Sequence, residues 1–478
     1  MVFQTFEYFV FLAVVMAGYF LLPHGMRWAL LLAGSYFFYM RWNAAYALLM
    51  LLSTAVTYAC GLGVAKVRTA RGKKLCVAAS LALNLGILFF FKYYGLVAGT
   101  LNGIPGVSLP QLNVLLPVGI SFYIFQALGY TIDVYRGDIQ PVRHFGKYAL
   151  FVSFFPQLVA GPIERSGNLI RQFDEIHRPD FESMRRGAVM ILLGLIKKLV
   201  VADRLAVLVD KVYGNAAAFG APAIIVATVC FAFQIYCDFS GYSDIAIGSA
   251  SLLGFRLMKN FERPYFSRSI GEFWRRWHIS LSSWFRDYLY FPLGGSRVKT
   301  LRWAFNLLVV FLVSGLWHGA AWTFAAWGLL NGLYQVAGRF TRDLRDRAWR
   351  GLGVNPDGKL RALVSVACTF ALTVFAWMFF RADSFAQLWL MLQSLVRGWE
   401  FGSLWELIYL VNGRECLMMA LLVLLLLGSE WLCGKSELPD RLFRLPLAVR
   451  WLILLAMLFL LILFGKYSES PSFIYFQF

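Results

Sequence analysis

Charged side chains are scarce in this chain of 478 residues: they make up 15% of it, against the roughly 25% that a soluble domain carries. Hydrophobic residues account for 59%, so a soluble globular protein is excluded. Apolar stretches recur from one end to the other, and about 20 mainly apolar residues are enough to cross a bilayer. The composition therefore predicts an integral membrane protein that crosses a lipid bilayer many times.

Cysteine is also sparse, and its seven positions form no CxxC pair and no metal-ligand spacing. Neither a zinc site nor a disulfide framework is indicated. The sequence also lacks a phosphate-cradling glycine loop and a dinucleotide fingerprint, and segment 241–244 lacks the strand–turn–helix setting of a serine nucleophile elbow. We therefore expect no bound metal and no permanently bound cofactor.

Acidic residues are outnumbered by basic ones, 26 against 45, which leaves a formal net charge of +19. A nucleic-acid-binding protein concentrates its basic residues on one face of a polar domain. Here they lie in short connectors between apolar runs, the arrangement that sets membrane topology. The positive charge is therefore interpreted as a topology signal, and no nucleic acid is expected as a partner.

The hydrophobic pattern predicts an all-α, polytopic fold in a single domain, residues 1–478, with about 11–13 spans. The first apolar run lacks a basic leader and a cleavage site, so it is predicted to be a retained helix. No internal repeat is evident, which argues against an inverted-repeat transporter. The predicted spans are residues 6–22, 28–40, 44–64, 76–97, 113–131, 147–162, 187–209, 221–250, 303–317, 319–337, 362–380, 415–433 and 448–465.

Three connectors are rich in basic residues and are therefore expected to be cytoplasmic. The uncharged stretch 97–111 is expected to face outward, which places both chain termini outside, in the periplasm. The basic connectors contain Lys66, Arg68, Arg71, Lys73 and Lys74; then Arg339, Arg342, Arg345, Arg347, Arg350, Lys359 and Arg361; and finally Lys435, Arg441, Arg444 and Arg450.

The run 269–290 predicts an amphipathic helix, because its residues divide into two faces at 3.6 residues per turn. Such a helix lies in the membrane interface, or dips into the membrane without crossing it. The apolar face holds Trp274, Trp277, His278, Leu281, Trp284, Phe285 and Tyr288. The polar face, with Ile279 as its exception, holds Arg275, Arg276, Ser280, Ser282, Ser283, Arg286 and Asp287.

Two of the five histidines are candidates for chemistry. His318 lies inside an apolar stretch, where an ionisable residue is costly and marks a functional site by default. The alternative is a core histidine bonded to a backbone carbonyl, with Gly315 and Gly319 allowing close helix packing. His278 lies on the apolar face of the amphipathic run, where it could instead be an interfacial anchor. The two histidines could meet if that run packs against the span carrying His318. His24, His144 and His177 are interpreted as solvated loop residues.

Other polar residues interrupt apolar segments. Asp238 and Asp244 lie within a long apolar run, so both are predicted to line a wet cavity or to pair with an arginine, with a structural ion pair favoured over catalysis. Segment 155–164 places two prolines and a glycine at the end of a span, which predicts a broken or re-entrant helix.

Four segments carry a family resemblance: 155–163 (FPQLVAGPI), 238–244 (DFSGYSD), 273–282 (FWRRWHISLS) and 315–319 (GLWHG). The chain resembles the membrane-bound O-acyltransferase family, and most closely its bacterial branch that acetylates polysaccharides. The resemblance extends over nearly the whole chain, and its last two segments are highly specific in this order.

The resemblance implies an acyltransferase with a central funnel, with His318 as the principal catalytic histidine and His278 as the second. It implies a cytoplasmic acetyl-CoA donor, a periplasmic partner acyltransferase of the SGNH serine-esterase type, and an exopolysaccharide acceptor, with alginate favoured over peptidoglycan or cellulose. Phosphates of the donor are expected to meet Arg275, Arg276 or Arg286 at a basic cytoplasmic mouth. Further substrate-binding residues are expected among Trp317, Trp274, Trp277, Arg275, Arg276, Asp238 and Asp244. The competing hypotheses are a transporter or flippase of an acyl donor and a scaffold in an export complex.

Overall fold

The computed structural model describes residues 1–112, 114–159, 161–355, 358–434, 436–467 and 473–474, and every regular element within these ranges is helical. The predicted all-α fold is confirmed. Two residues of the sequence analysis, Lys435 of the third basic connector and Ala160 of segment 155–163, lie outside the described residues, as does the start of the predicted span 113–131.

Seven of the described helices are long and apolar enough to cross a membrane. The other predicted spans fall on helices that are shorter, less apolar or interrupted, so they are not counted among these seven. The seven are Ala44–Lys66, Ala70–Leu101, Ala221–Leu252, Thr300–His318, Lys359–Arg381, Gly413–Cys433 and Leu447–Phe464.

The chain divides into two compact units, and the first comprises Met1–Gly194 and Tyr242–Lys259. Its glycines allow close packing: a Cβ on Gly187 would lie 2.6 Å from the carbonyl oxygen of Gly248, so these two backbones touch. Its helices, in chain order, are α1 Phe6–Leu21, α2 His24–Met40, α3 Ala44–Lys66, α4 Ala70–Leu88, α5 Tyr94–Leu101, α6 Ile120–Arg136, α7 Phe145–Ser153, α8 Phe155–Leu158, α9 Ser166–Gln172 and α10 Phe181–Leu195.

The second unit comprises Leu195–Gly241 and Asn260–Phe478, and the long helix α12 contributes to both units. Its helices are α11 Asp203–Gly214, α12 Ala221–Leu252, α13 Ile270–Arg276, α14 Ile279–Phe285, α15 Thr300–His318, α16 Trp322–Phe340, α17 Arg342–Gly351, α18 Lys359–Arg381, α19 Phe385–Arg397, α20 Gly402–Val411, α21 Gly413–Cys433, α22 Leu438–Leu442 and α23 Leu447–Phe464. Both candidate histidines belong to this unit.

Two of the predicted spans are interrupted. The predicted span 147–162 is broken at Phe154 (φ −51°, ψ 110°), and Pro156 lies in the first turn of the short helix that follows, Phe155–Leu158. This confirms the predicted helix break, because proline cannot continue a helix from its interior but fits the first turn. The predicted span 187–209 is interrupted by a π-turn at Ile196–Ala202.

The amphipathic run is not one continuous helix, and that prediction is wrong. It consists of α13, α14 and a π-turn, Arg286–Tyr290, and the break between α13 and α14 falls at Trp277 and His278. His278 adopts the left-handed conformation (φ 44°, ψ 54°), which a right-handed helix cannot contain. The division into two faces largely holds, since Trp274, Leu281, Trp284 and Phe285 are buried and Arg275 and Arg286 are exposed, whereas the polar-face Ser280 is buried.

Candidate active site

His318 is the last residue of α15, and the contact of α15 with α16 fixes its position. A Cβ on Gly315 would lie 2.3 Å from the carbonyl oxygen of Phe324, and one on Gly328 would lie 2.2 Å from that of Phe311. No side chain fits at either position, so the two helices meet backbone to backbone. The close packing that the sequence offered as an alternative role for Gly315 is therefore real, and it coexists with the buried histidine.

Aromatic rings enclose the imidazole of His318, which is 2% exposed. The ring centroids of Trp317, Trp327 and Phe380 lie 5.0, 5.1 and 5.5 Å from that of the histidine. All three meet it edge-on or nearly so, at interplanar angles between 70° and 88°. This enclosure excludes bulk water, so a proton transfer there would take place in a medium of low dielectric constant.

His278 is fully buried, and the break in the helix aims its ring inward. The backbone on its C-terminal side is held by Asn260: the Ile279 N–H donates to the Asn260 carbonyl at 2.9 Å, and the Ser280 hydroxyl donates to the Asn260 side chain at 2.6 Å. A left-handed non-glycine residue costs about 1–3 kcal/mol and persists only where its surroundings hold it. These two hydrogen bonds are part of what holds it.

The two histidines lie together, with ring centroids 6.3 Å apart. The Trp317 ring is 5.8 Å from His278, and the Phe239 ring meets His278 edge-on at 4.6 Å. Burial lowers the pKa of His278 to about 3, so its imidazole is neutral near pH 7. A neutral imidazole has one N–H donor and one acceptor nitrogen, which suits it to donate a hydrogen bond to a developing oxyanion.

A hydrogen-bonded asparagine connects α13 to the histidine enclosure. Trp274 Nε1 donates to Asn331 Oδ1 at 3.2 Å, and Asn331 Nδ2 donates to the Trp327 carbonyl at 2.9 Å. Trp327 is the ring at 5.1 Å from His318. Asn331 therefore holds the tryptophan of the amphipathic segment and the helix beside the catalytic candidate in one arrangement.

Three buried ionisable side chains form a triad that includes Asp238, the residue directly before Phe239 in the chain. Lys198 Nζ is 2.8 Å from Asp203 Oδ1 and 2.7 Å from Asp238 Oδ1, and all three side chains are almost completely buried. The other oxygen of Asp238 accepts a hydrogen bond from the Ile474 N–H at 2.7 Å. Asp238 is thus in an ion pair, as favoured from the sequence, but its partner is a lysine and not an arginine.

The remaining residues predicted to bind substrate differ in burial and in their partners. Trp277 is fully buried and stacks on Phe273 at 5.4 Å, whereas Arg275 is exposed at the surface. Arg276 forms an ion pair with Glu272 at 2.6 Å. Asp244 is half-buried in α12, in the part that belongs to the first unit.

Of the three histidines interpreted as solvated loop residues, His177 does not fit. Its Nδ1 lies 2.9 Å from the Tyr19 hydroxyl, and its side chain is 11% exposed, so that interpretation is wrong. His144 is exposed and accepts a hydrogen bond from the Lys147 N–H at 3.2 Å, which caps α7.

Several contributors to the site were not identified from the sequence: Lys198, Asp203, Asn331, Trp327 and Phe380. For Lys198 and Asp203 a signal existed, because ionisable residues inside the predicted span 187–209 are costly unless paired. The aromatic residues carried no signal, since tryptophan and phenylalanine are ordinary in membrane helices. Among the described residues, no three His, Cys, Asp or Glu side chains are grouped so that they could hold a metal ion.

Comparison with known proteins shows to which family the chain belongs. The model of the membrane-bound O-acyltransferase family matches residues 140–377, a range that contains both histidines. The chain is 39% identical over 406 residues to the probable alginate O-acetylase AlgI of Pseudomonas aeruginosa, covering 84% of this chain and 74% of that protein.

Two further relatives modify other cell-envelope polymers, according to their names. The peptidoglycan O-acetyltransferase of Helicobacter pylori is 35% identical over 419 residues, with 81% of this chain and 78% of the relative covered. The teichoic acid D-alanyltransferase of Streptococcus thermophilus is 30% identical over 307 residues, with 59% of this chain and 71% of the relative covered. The chain is therefore a multi-pass membrane O-acyltransferase, and it belongs to the membrane-bound O-acyltransferase family.

Proposed function

We propose that this protein takes an acetyl group from cytoplasmic acetyl-CoA and passes it across the bacterial inner membrane for O-acetylation of an exopolysaccharide, with alginate as the first candidate. The observation that carries the proposal is the 6.3 Å separation of the His278 and His318 rings inside an aromatic enclosure. The names of the relatives support acetyl transfer to envelope polymers, alginate in one case and peptidoglycan in another. Peptidoglycan, and cellulose from the family resemblance, are the alternative acceptors.

His318 is the general base of the proposed reaction. One imidazole nitrogen accepts the proton of an acceptor hydroxyl while the hydroxyl oxygen bonds to the acyl carbon. The carbon–sulfur bond of the thioester then breaks, and the CoA thiolate leaves and takes up a proton. In the alternative route, His318 itself attacks the acyl carbon and holds the acetyl group before passing it on.

His278 stabilises the negative charge that develops on the thioester oxygen. Its low pKa keeps it neutral, so it can donate a hydrogen bond without a net charge that the apolar surroundings would have to bear. The edge-on contact with Phe239 and the Asn260 hydrogen bonds limit the movement of the ring and of its backbone. Such a preorganised donor is worth about a hundredfold or more in rate.

The proposed membrane orientation follows the basic connectors. The three connectors face the cytoplasm, where acetyl-CoA is available, and both termini face the periplasm. A periplasmic acyltransferase of the SGNH serine-esterase type then receives the acetyl group and completes its transfer to the polysaccharide. Membrane lipids surround the long apolar helices.

The test is acyl transfer from radiolabelled acetyl-CoA by the purified protein in lipid nanodiscs. We expect wild type to release CoA and transfer label, and His318→Ala to fall to about 1% or less, because a general base contributes a hundredfold or more. His144→Asn is the matched control, since that position is exposed and asparagine keeps the capping acceptor of α7. Equal turnover by wild type and His318→Ala would overturn the proposal.

The same variants in living cells identify the acceptor and separate catalysis from transport. We expect the exopolysaccharide to lose its O-acetyl groups with His318→Ala and to keep them with His144→Asn. A transporter of the acyl donor would instead move its substrate without bond transfer and would keep that activity in His318→Ala. Unchanged acetylation with that variant would favour the transporter.

A further inference from the structure

Two of the three arginines expected to meet the donor's phosphates are paired with neighbouring carboxylates, whereas the third, Arg275, is exposed. Arg276 Nη2 lies 2.6 Å from Glu272 Oε1, and Arg286 Nε lies 2.8 Å from Asp287 Oδ1. A phosphate would therefore have to compete with a carboxylate already in place at each guanidinium group. The second unit also contains cations outside the amphipathic segment.

Three cations from separate parts of the second unit lie near Cys433, the last residue of α21. They are Lys197 in the π-turn Ile196–Ala202, Arg263 in the loop before α13, and Arg441 on α22. We call these three residues the basic cluster. The carboxylate of Glu430 lies near the same thiol.

Arg263 shows the strongest sign of a site shaped for a ligand. Its backbone is left-handed (φ 47°, ψ 62°), a strained conformation for a non-glycine residue that is concentrated at functional sites. Its Nε is buried and makes no hydrogen bond to any residue that the structure describes. Its carbonyl oxygen accepts from Arg276 Nη1 at 3.4 Å, which connects this loop to α13. A buried guanidinium donor without a partner is a place for an anion.

Tyr236 contacts both Lys197 and the carboxylate of Glu430. Lys197 Nζ lies 5.9 Å from the centroid of the Tyr236 ring, and the Tyr236 hydroxyl donates a hydrogen bond to Glu430. Arg441 is exposed, and its Nη2 lies 3.6 Å from the position that a Cβ would take on Gly434. The basic cluster therefore combines half-buried cations with one that reaches the surface.

The basic cluster lies one aromatic layer away from the reacting centre. The Tyr236 ring is 6.0 Å from that of Trp277, and His278 follows Trp277 in the chain. Arg441 belongs to the third basic connector, on the side assigned to the cytoplasm. Acyl-CoA carries its thioester and its phosphates at opposite ends of the pantetheine arm, so a site for it requires histidines and cations to be separated in this way.

We propose that Lys197, Arg263 and Arg441 bind the phosphate groups of the thioester donor and so orient its acyl end toward His278 and His318. This inference rests on the proposed use of acetyl-CoA. It assigns the phosphates to cations on three elements beside Cys433, in place of the carboxylate-paired arginines of the amphipathic segment.

The test is equilibrium binding of radiolabelled CoA to the full-length protein in nanodiscs, with unlabelled pantetheine as a phosphate-free competitor. We expect Arg263→Gln and Arg441→Gln each to weaken CoA binding about tenfold, as loss of one charged hydrogen bond does. Pantetheine should compete equally well in wild type and variants, because it has no phosphate. Arg444→Gln, exposed on the same connector, is the matched control and should bind CoA as wild type does.

Three outcomes would overturn the inference. The first is unchanged CoA affinity in both variants, and the second is an equal loss for CoA and for pantetheine. The third is an effect that appears only in nanodiscs containing phosphatidylglycerol, which would assign the basic cluster to a lipid headgroup. Lys197→Gln provides a further variant if Arg263→Gln does not fold. Binding measured in a His318→Ala background requires no turnover, so failure of this inference is distinguishable from failure of the proposed function.

Discussion

His278 lies against His318, with 6.3 Å between their ring centroids, because a left-handed residue breaks the amphipathic segment at that point. In a continuous helix the side chain at position 278 would share one face with its tryptophan neighbours. The break directs the His278 side chain toward the enclosure formed around His318. The pairing of the two histidines thus depends on a single unusual backbone conformation.

Replacement of His278 by asparagine should abolish activity and preserve the fold. Asparagine tolerates the left-handed conformation, so the helix break is expected to persist. The shorter asparagine side chain cannot place its amide N–H where the imidazole N–H lies, so kcat for acetyl transfer should fall about a hundredfold or more. The measurement is CoA release in nanodiscs together with the thermal unfolding midpoint. Wild-type turnover in this variant would remove His278 from the mechanism.

The contact between α15 and α16 should not accept a methyl group. In Gly315→Ala, the new Cβ would meet the Phe324 carbonyl at 2.3 Å, so the helices must separate and His318 must move. We expect a lower thermal midpoint and a loss of turnover. Gly338→Ala is the control on α16, because its Cβ meets nothing within 4 Å and alanine favours helices. Equal midpoints for the two variants would contradict the prediction.

The ion triad should be essential for stability. Lys198→Met leaves the buried carboxylates of Asp203 and Asp238 without their cation, and breaking a buried ion pair costs about 3–5 kcal/mol. The free energy of unfolding in detergent is the quantity to measure. The exposed Lys74→Met serves as the comparison and should change it by less than about 0.5 kcal/mol. A small effect at Lys198 would show that the triad is not needed for folding.

Acidification should destabilise the protein partly through His278. The pKa of His278 is about 3 in the folded protein, whereas a histidine in the unfolded chain has its ordinary pKa of 6.5. Between pH 3 and pH 6.5 the unfolded chain therefore binds a proton that the folded protein does not. Stability from this group is therefore complete above pH 6.5 and falls as the pH decreases, by roughly 1.4 kcal/mol per unit. We expect the thermal midpoint of His278→Asn to decrease less steeply than that of wild type between pH 6.5 and pH 4.5. If the thermal midpoints of wild type and His278→Asn decrease equally over this pH range, His278 does not contribute to the acid destabilisation.

The proposed orientation can be tested by cysteine labelling in a Cys368→Ser background. Val107→Cys, in the uncharged outer stretch, should react with a membrane-impermeant maleimide in intact spheroplasts. Arg71→Cys, in the first basic connector, should react only after the membrane is opened, because basic connectors stay in the cytoplasm. The reverse pattern would invert the topology and place the donor site on the wrong side.

Much of this protein could be predicted from residue patterns alone. Long apolar runs have to be membrane helices, since backbone polar groups in lipid must be satisfied within the segment. His318 stood out because an ionisable residue at that depth needs a reason. The prolines of segment 155–164 predicted a break that the structure confirms at Phe154.

Other features were decided only in three dimensions. Periodicity describes which face a residue occupies on an unbroken helix, so it could not predict the left-handed turn at His278. The partner of Asp238 is Lys198, and the enclosure of His318 draws Trp327 and Phe380 from separate helices. Apolar periodicity and intramembrane charge are local properties of the chain and are therefore visible in its sequence. Which buried groups meet is set by packing between distant segments, and only the tertiary structure determines it.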